Sequence, residues 1–221
     1  PSTLTEIASR AFQTCTRLQV LEIPTGVRSI GQFAFQGCSD LAIIDIPDTV
    51  ITIGPNAFSS INLTTLVIPD SVSVIGNQAF RLNRQLEQIQ LPTSINVTGV
   101  GVFSLCPALT SVTIPDSVTN ISVSSFSGCI GLASVQLGDS VTFIEDSAFH
   151  TCSNLTTIAI PNSVRRIGRN SFQGTALQEL ALSDFVESVS RFAFSRCDSL
   201  TTFTMSDSIQ FLGTSAFSVS S

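Results

Sequence analysis

Residues 109–129 run Leu109-Thr110-Ser111-Val112-Thr113-Ile114-Pro115-Asp116-Ser117-Val118-Thr119-Asn120-Ile121-Ser122-Val123-Ser124-Ser125-Phe126-Ser127-Gly128-Cys129, and their reading decides the fold. Val112 and Ile114 alternate with Ser111 and Thr113, the two-residue period of a strand with one face buried. Pro115 offers no ladder donor and holds φ near about −65°, so the strand ends there. Val118 and Ile121 then predict a second short strand or extended arm. Phe126, three residues before Cys129, predicts a helical turn whose ring enters the core.

The stretch recurs along the whole chain. Phe12, Phe35, Phe58, Phe80, Phe103, Phe126, Phe149, Phe172, Phe194 and Phe217 stand 22 or 23 residues apart. Pro24, Pro47, Pro69, Pro92 and Pro161 take the place of Pro115. Gly31, Gly54, Gly76, Gly99, Gly168 and Gly213 follow the arm, available for a positive-φ corner. One such unit is too small to bury its own apolar face, so successive units must stack and share one continuous core. Departures are local: Thr98 replaces an Ile, Ser122 and Ser190 replace Gly, Gly138 and Ser183 replace Pro, and Phe185 takes a Ser position. None removes a repeat Phe. Residues 1–221 are therefore expected to form a single domain of about nine repeats of 22–23 residues, with partial units at both ends.

Aligned on Phe, the units read Leu-x-x-Φ-x-Φ-Pro-Asp-Ser-Val-x-x-Ile-Gly-x-x-Ala-Phe-x-x-Cys, with Φ aliphatic. This pattern resembles the leucine-rich repeats of the BspA-like family over essentially the whole chain. The resemblance implies a repeat solenoid: a right-handed leucine-rich-repeat superhelix with a parallel β-sheet on the concave face and short extended or helical turns on the convex side. It also implies an extracellular or cell-surface protein that binds other proteins, matrix or host cells. It brings no catalytic residues to this chain.

Composition fits a stack of coils that all donate apolar residues to one interior, since 43% of the 221 residues are apolar and only 12% are charged. No apolar run reaches the roughly 18 residues of a membrane span, so no membrane insertion is expected in this segment. The opening Pro1-Ser2-Thr3-Leu4-Thr5 is not a signal segment, and any targeting peptide is read as removed or lying outside. With net charge −6, ten Arg and no Lys, the chain has no basic stripe and nucleic acid is a poor partner. The nearest thing to a basic patch, Arg165, Arg166 and Arg169 with Arg191 and Arg196, reads as a solvated outer face rather than an anion site.

Cys15, Cys38, Cys106, Cys129, Cys152 and Cys197 all lie three residues after a repeat Phe, where other units carry Asn83, Ile61 or Thr175. An interchangeable slot of this kind reads as free, buried thiols that hydrogen-bond neighbouring backbone, not as disulfides. With no Cys-x-x-Cys and His150 the only histidine, no metal site is expected. Asp48, Asp70, Asp116, Asp139, Asp184 and Asp207 recur just after the first strand. They read as turn formers accepting from an N–H two residues on, with a stacked calcium ladder as the alternative. No nucleophile elbow, dinucleotide fingerprint or phosphate loop is present, so an enzyme and a cofactor are not expected. Asn62, Asn96, Asn120 and Asn154 open sequons that permit glycosylation.

A partner is expected on the outward residues of the first strands, a surface of nine rungs spanning about 40 Å at the usual strand spacing. The candidate contact residues are Thr65, Gln88, Gln90, Ser111, Thr113, Ser134, Gln136, Thr157, Glu179 and Thr202. This face carries no Trp, Tyr or Arg, the types enriched in binding hot spots, and suits many weak contacts better than one tight one. The reading is a non-enzymatic interaction or adhesion module for a protein or cell-surface ligand, cut from a longer array. The alternative is a structural protein that assembles with itself head to tail through uncapped ends.

Overall fold

The structure, a computed structural model, describes residues 3–95 and 97–218. Each unit contributes one coil to a parallel β-solenoid of about nine turns. Among the described residues eight three-residue rung strands, such as Ser111–Thr113, each lead into a two-residue arm strand, such as Asn120–Ile121. The alternation predicted for the rung holds: Val112 points into the core while Ser111 and Thr113 face solvent. Rung strands pair in parallel two by two, joining Val20–Glu22 to Ile43–Asp45, Thr65–Val67 to Gln88–Gln90, Ser111–Thr113 to Ser134–Gln136 and Glu179–Ala181 to Thr202–Thr204.

The repeat phenylalanines form one column. Successive rings from Phe12 to Phe217 lie 5.1–5.6 Å apart between centroids and within 15° of parallel. Phe35, Phe58, Phe80, Phe149, Phe172 and Phe194 are fully buried. Around this column the arm residues Ile30, Ile53, Ile75, Ile144, Ile167 and Val189 and the rung residues Leu66, Val112 and Leu180 complete one core that follows the axis.

The segment carrying Phe is not helical; among the described residues there is no helix. Its N–H groups alternate in destination. Those of Arg10, Phe12 and Thr14 donate to Gln32, Ala34 and Gln36 of the next coil, while those of Ala11, Gln13 and Cys15 turn back three residues. A helix would direct every N–H along its own segment and leave carbonyls of the neighbouring coil unsatisfied, and buried backbone polar groups must be paired. Left-handed residues such as Arg10 (φ 62°) and Thr14 (φ 58°) produce the alternation.

Glycine acts differently from the expected positive-φ corner. Gly31, Gly54, Gly76, Gly99, Gly168 and Gly213 are not in the left-handed region, which falls two and six residues later, as at Phe33 and Gly37. Close approach of backbones is the reason for glycine here: a Cβ on Gly54 would lie 2.8 Å from both the Gln32 nitrogen and the Gly31 carbonyl carbon.

The departures noted in the sequence leave a mark at one level. Arm strands form two five-stranded sheets, with the break between Val97–Thr98 and Asn120–Ile121. Ser122 stands where glycine would permit close contact, and its hydroxyl bonds both the Thr98 carbonyl and the Thr98 hydroxyl at 2.9 Å. A cavity of about 30 Å³ opens there, bordered by Thr98, Phe103, Ile121, Ser122 and Phe126. The aromatic column runs on across it, with Phe103 and Phe126 5.6 Å apart.

Candidate interaction surface

The rung strands present two columns of side chains to solvent. The first runs Val20, Ile43, Thr65, Gln88, Ser111, Ser134, Thr157, Glu179 and Thr202; the second runs Glu22, Asp45, Val67, Gln90, Thr113, Gln136, Ala159, Ala181 and Thr204. All eighteen are exposed. Thr65, Gln88, Gln90, Ser111, Thr113, Ser134, Gln136, Thr157, Glu179 and Thr202, the residues chosen from sequence, thus lie on one face. Registered neighbours include Thr113 with Gln136 and Glu179 with Thr202. Thr157, Ile158 and Ala159 keep the inside–outside alternation without forming a regular strand. A groove of about 450 Å³ follows, lined by this rung and by Glu179, Ala181, Thr202 and Thr204.

Chemically the face is graded. It starts acidic and apolar, with Glu22 registered beside Asp45 and Val20 beside Ile43, and becomes hydroxyl- and amide-bearing from Gln88 to Gln136. Val20 and Ile43 are 71% and 72% exposed, in the outward positions that the alternation along the rung predicts.

The cysteine slot is a hydrogen-bond column. The thiols of Cys38, Cys106, Cys129, Cys152 and Cys197 donate to the carbonyls of Phe12, Phe80, Phe103, Phe126 and Phe172 in the preceding coil, at 3.0–3.4 Å. Asn83 Nδ2 serves the Phe58 carbonyl of the preceding coil in the same way, while Thr175 Oγ1 donates to the Phe172 carbonyl of its own coil, so the slot accepts any short donor that reaches a Phe carbonyl. All six cysteines are free; Cys15 is exposed and the other five are buried. Burial pushes the Cys152 thiol up to about 12. The Cys106 side chain and then burial hold Cys129 well above the ordinary thiol range.

Two of the recurring aspartates, Asp70 and Asp116, bond between coils rather than within their own turn. Asp70 Oδ1 accepts from the N–H and hydroxyl of Thr93 at 2.7 and 2.9 Å, and Asp116 Oδ1 from the N–H of Asp139 at 2.8 Å. These two donors from Thr93, backbone first, lower the Asp70 pKa. Among the described residues no group of three or more His, Cys, Asp or Glu is placed to hold a metal ion. No helix among them is long and apolar enough to cross a membrane. Asn62, Asn120 and Asn154 are exposed, whereas Asn96 lies outside the described residues.

With a Phe-centred coil, a rung strand and a cysteine slot repeated along the chain, comparison with known proteins is specific. The profile of the BspA type leucine-rich repeat region matches in six copies, over residues 5–132 and 102–221. The chain belongs to the BspA-type leucine-rich repeat family. Among solved structures, this BspA-type chain is similar to the T. pallidum leucine-rich repeat protein TpLRR, at 32% identity and TM-score 0.54 over 79% of this chain and 73% of that one. It is similar to a leucine-rich cell surface protein of Faecalibacterium prausnitzii, at 28% identity and TM-score 0.53 over 97% of this chain and 62% of that one. The pneumococcal vaccine antigen PcpA shares the fold at 23% identity and TM-score 0.66, over 99% of this chain and 61% of that one. The BspA-type chain thus spans less than two thirds of these last two proteins. No curated protein sequence matches it.

Proposed function

We propose that this BspA-type solenoid is a non-enzymatic interaction module, displayed at the cell surface or secreted, that holds a protein or cell-surface ligand on its rung face. The observation that carries this reading is the strip of exposed side chains running coil after coil, all projecting from strands locked to a common core. Such a strip offers many equivalent weak contacts on a rigid backing, so affinity accumulates by repetition rather than from one deep pocket. The cell-surface description of the Faecalibacterium relative supports the proposed location.

The test is a triple variant with Arg at Thr113, Gln136 and Thr157, whose side chains touch no core. Beads coated with the variant should adhere to cells or immobilised matrix proteins at least tenfold more weakly than beads carrying the native chain, with the melting temperature nearly unchanged. Equal adhesion by both coatings would remove the rung face from the mechanism.

A further inference from the structure

Outside the rung face, arginine and phenylalanine converge on the arm strands of the later coils. Phe143, Arg166, Ser188 and Phe211 are registered neighbours across four coils, forming one outward row. The Arg166 guanidinium lies 4.2 Å from the centroid of the Phe143 ring, Arg165 4.9 Å from Phe185 and Arg191 4.3 Å from Phe192. Stacking of this kind pins a guanidinium while leaving its N–H edge open to a carboxylate. Arg165 Nη1 also donates to the Asn162 carbonyl at 2.8 Å. Carboxylates of Glu145, Asp146 and Glu187 border the patch, and Asp146 Oδ1 is occupied by the Arg169 N–H at 2.7 Å. Phe185 and Phe211 remain 50% and 57% exposed.

The opposite chemistry stands on the rung face of the first coils. Glu22 and Asp45 are registered side by side, a like-charge pair that is unfavourable unless a cation meets it. Beside them Val20 and Ile43 form an apolar pair, with Val67 exposed one coil further on. With Arg169 the later patch sets four guanidiniums against three carboxylates, a small positive excess, so the two patches match in apolarity and are complementary in the sign of their charge. They occupy different sheets and different ends of the solenoid, so they meet only between molecules.

We propose that the Arg165–Arg166–Arg191 patch of one molecule docks on the Glu22–Asp45 patch of a second copy. The exposed Phe185 and Phe211 rings cover Val20 and Ile43. The contact joins unlike surfaces, so a pair leaves one patch of each kind free for a further copy, and the rotation between copies decides between a ring and an open array. It does not use the coil ends, and it leaves the rungs from Gln88 to Thr157 open to another partner. A contact built from a few charge pairs and two apolar pairs belongs with weak, transient and salt-sensitive interfaces.

Sedimentation velocity over a wide concentration range, at low and high salt, tests it. The expected result is concentration-dependent association that weakens as salt rises and falls at least tenfold in the double variants Glu22→Arg/Asp45→Arg and Arg165→Glu/Arg166→Glu. Mixing these two charge-reversed proteins should restore association, a readout that misfolding of either variant cannot produce. A native chain that stays monomeric at all concentrations overturns the proposal, as does association indifferent to both substitutions. A monomer whose arginine patch instead captures a synthetic Asp/Glu-rich peptide or heparin overturns it too, in favour of a different occupant.

Discussion

The thiol of Cys129 donates a 3.1 Å hydrogen bond to the carbonyl of Phe103, one coil before its own Phe126. The same Phe103 N–H donates forward to the Ser125 carbonyl, so the aromatic column is bracketed by polar bonds that also run from coil to coil. Stacked rings alone resist separation but slide easily. A directional bond at each level fixes how far one coil is turned relative to the next.

Buried thiols of this kind make stability depend on alkaline pH. A thiol held up to about 12 in the folded chain, as Cys152 is, against an ordinary 9.0, stays protonated while the unfolded chain ionises. Its contribution is full below about pH 9 and is lost as pH climbs toward 12, by at most about 1.4 kcal/mol per pH unit for one thiol. The sequence makes this legible, because it contains no Lys and no Tyr to titrate in the same window. The melting temperature should fall between pH 9 and 11, and Cys152→Ser, which keeps a donor to Phe126, should shallow the slope. In native protein at pH 8, iodoacetamide should modify exposed Cys15 ahead of the other five. A pH-independent melting temperature, or six thiols reacting alike, would contradict the arrangement.

The period of Phe, the strand-ending Pro and the outward rung residues were readable from sequence because each is written in residue type and spacing. Bonds between coils were not. Asp70 looks like a turn former, and only the stacked backbone shows that its acceptor site is filled by Thr93, 23 residues on. The helical turn expected at Ala-Phe-x-x-Cys failed for the same reason: its N–H groups answer to carbonyls of another coil. The stacks of Arg166 on Phe143 and of Arg165 on Phe185 were hidden because each joins residues of neighbouring coils that only folding brings together.

Glycine in the arm column should be needed for space and not for backbone freedom. Gly54→Ala places a methyl 2.8 Å from the Gln32 nitrogen and 2.9 Å from the Ile30 carbonyl oxygen, both backbone atoms. The coil must give way, at about 1–3 kcal/mol. Glu145 and Ser190 stand at equivalent places, so the response is a loss of stability and not a failure to fold. Gly37, with φ 73°, is the contrast. Other coils put Thr14, Ser60 or Leu82 in the same left-handed position, so Gly37→Asn should be nearly silent. Urea midpoints for the two variants test this; equal shifts would mean that crowding is not what selects glycine.

The aromatic column should be strongest where each ring has two neighbours. Phe126 stacks on Phe103 at 5.6 Å and on Phe149 at 5.5 Å, whereas Phe12 has only Phe35 in the column and is partly buried. Phe126→Ala removes a ring from a closed interior and should cost about 3–5 kcal/mol. Phe126→Leu refills much of the volume and should cost less, the remainder reflecting lost ring contact. Phe12→Ala should cost under half as much as Phe126→Ala, since little of its cavity would be enclosed. In a linear stack an interior defect also uncouples the coils on either side. Hydrogen exchange in Phe126→Ala should therefore show separate protection for coils before and after it. A single cooperative loss of protection, with the same destabilisation at both positions, would show that the rings fill space without linking the coils.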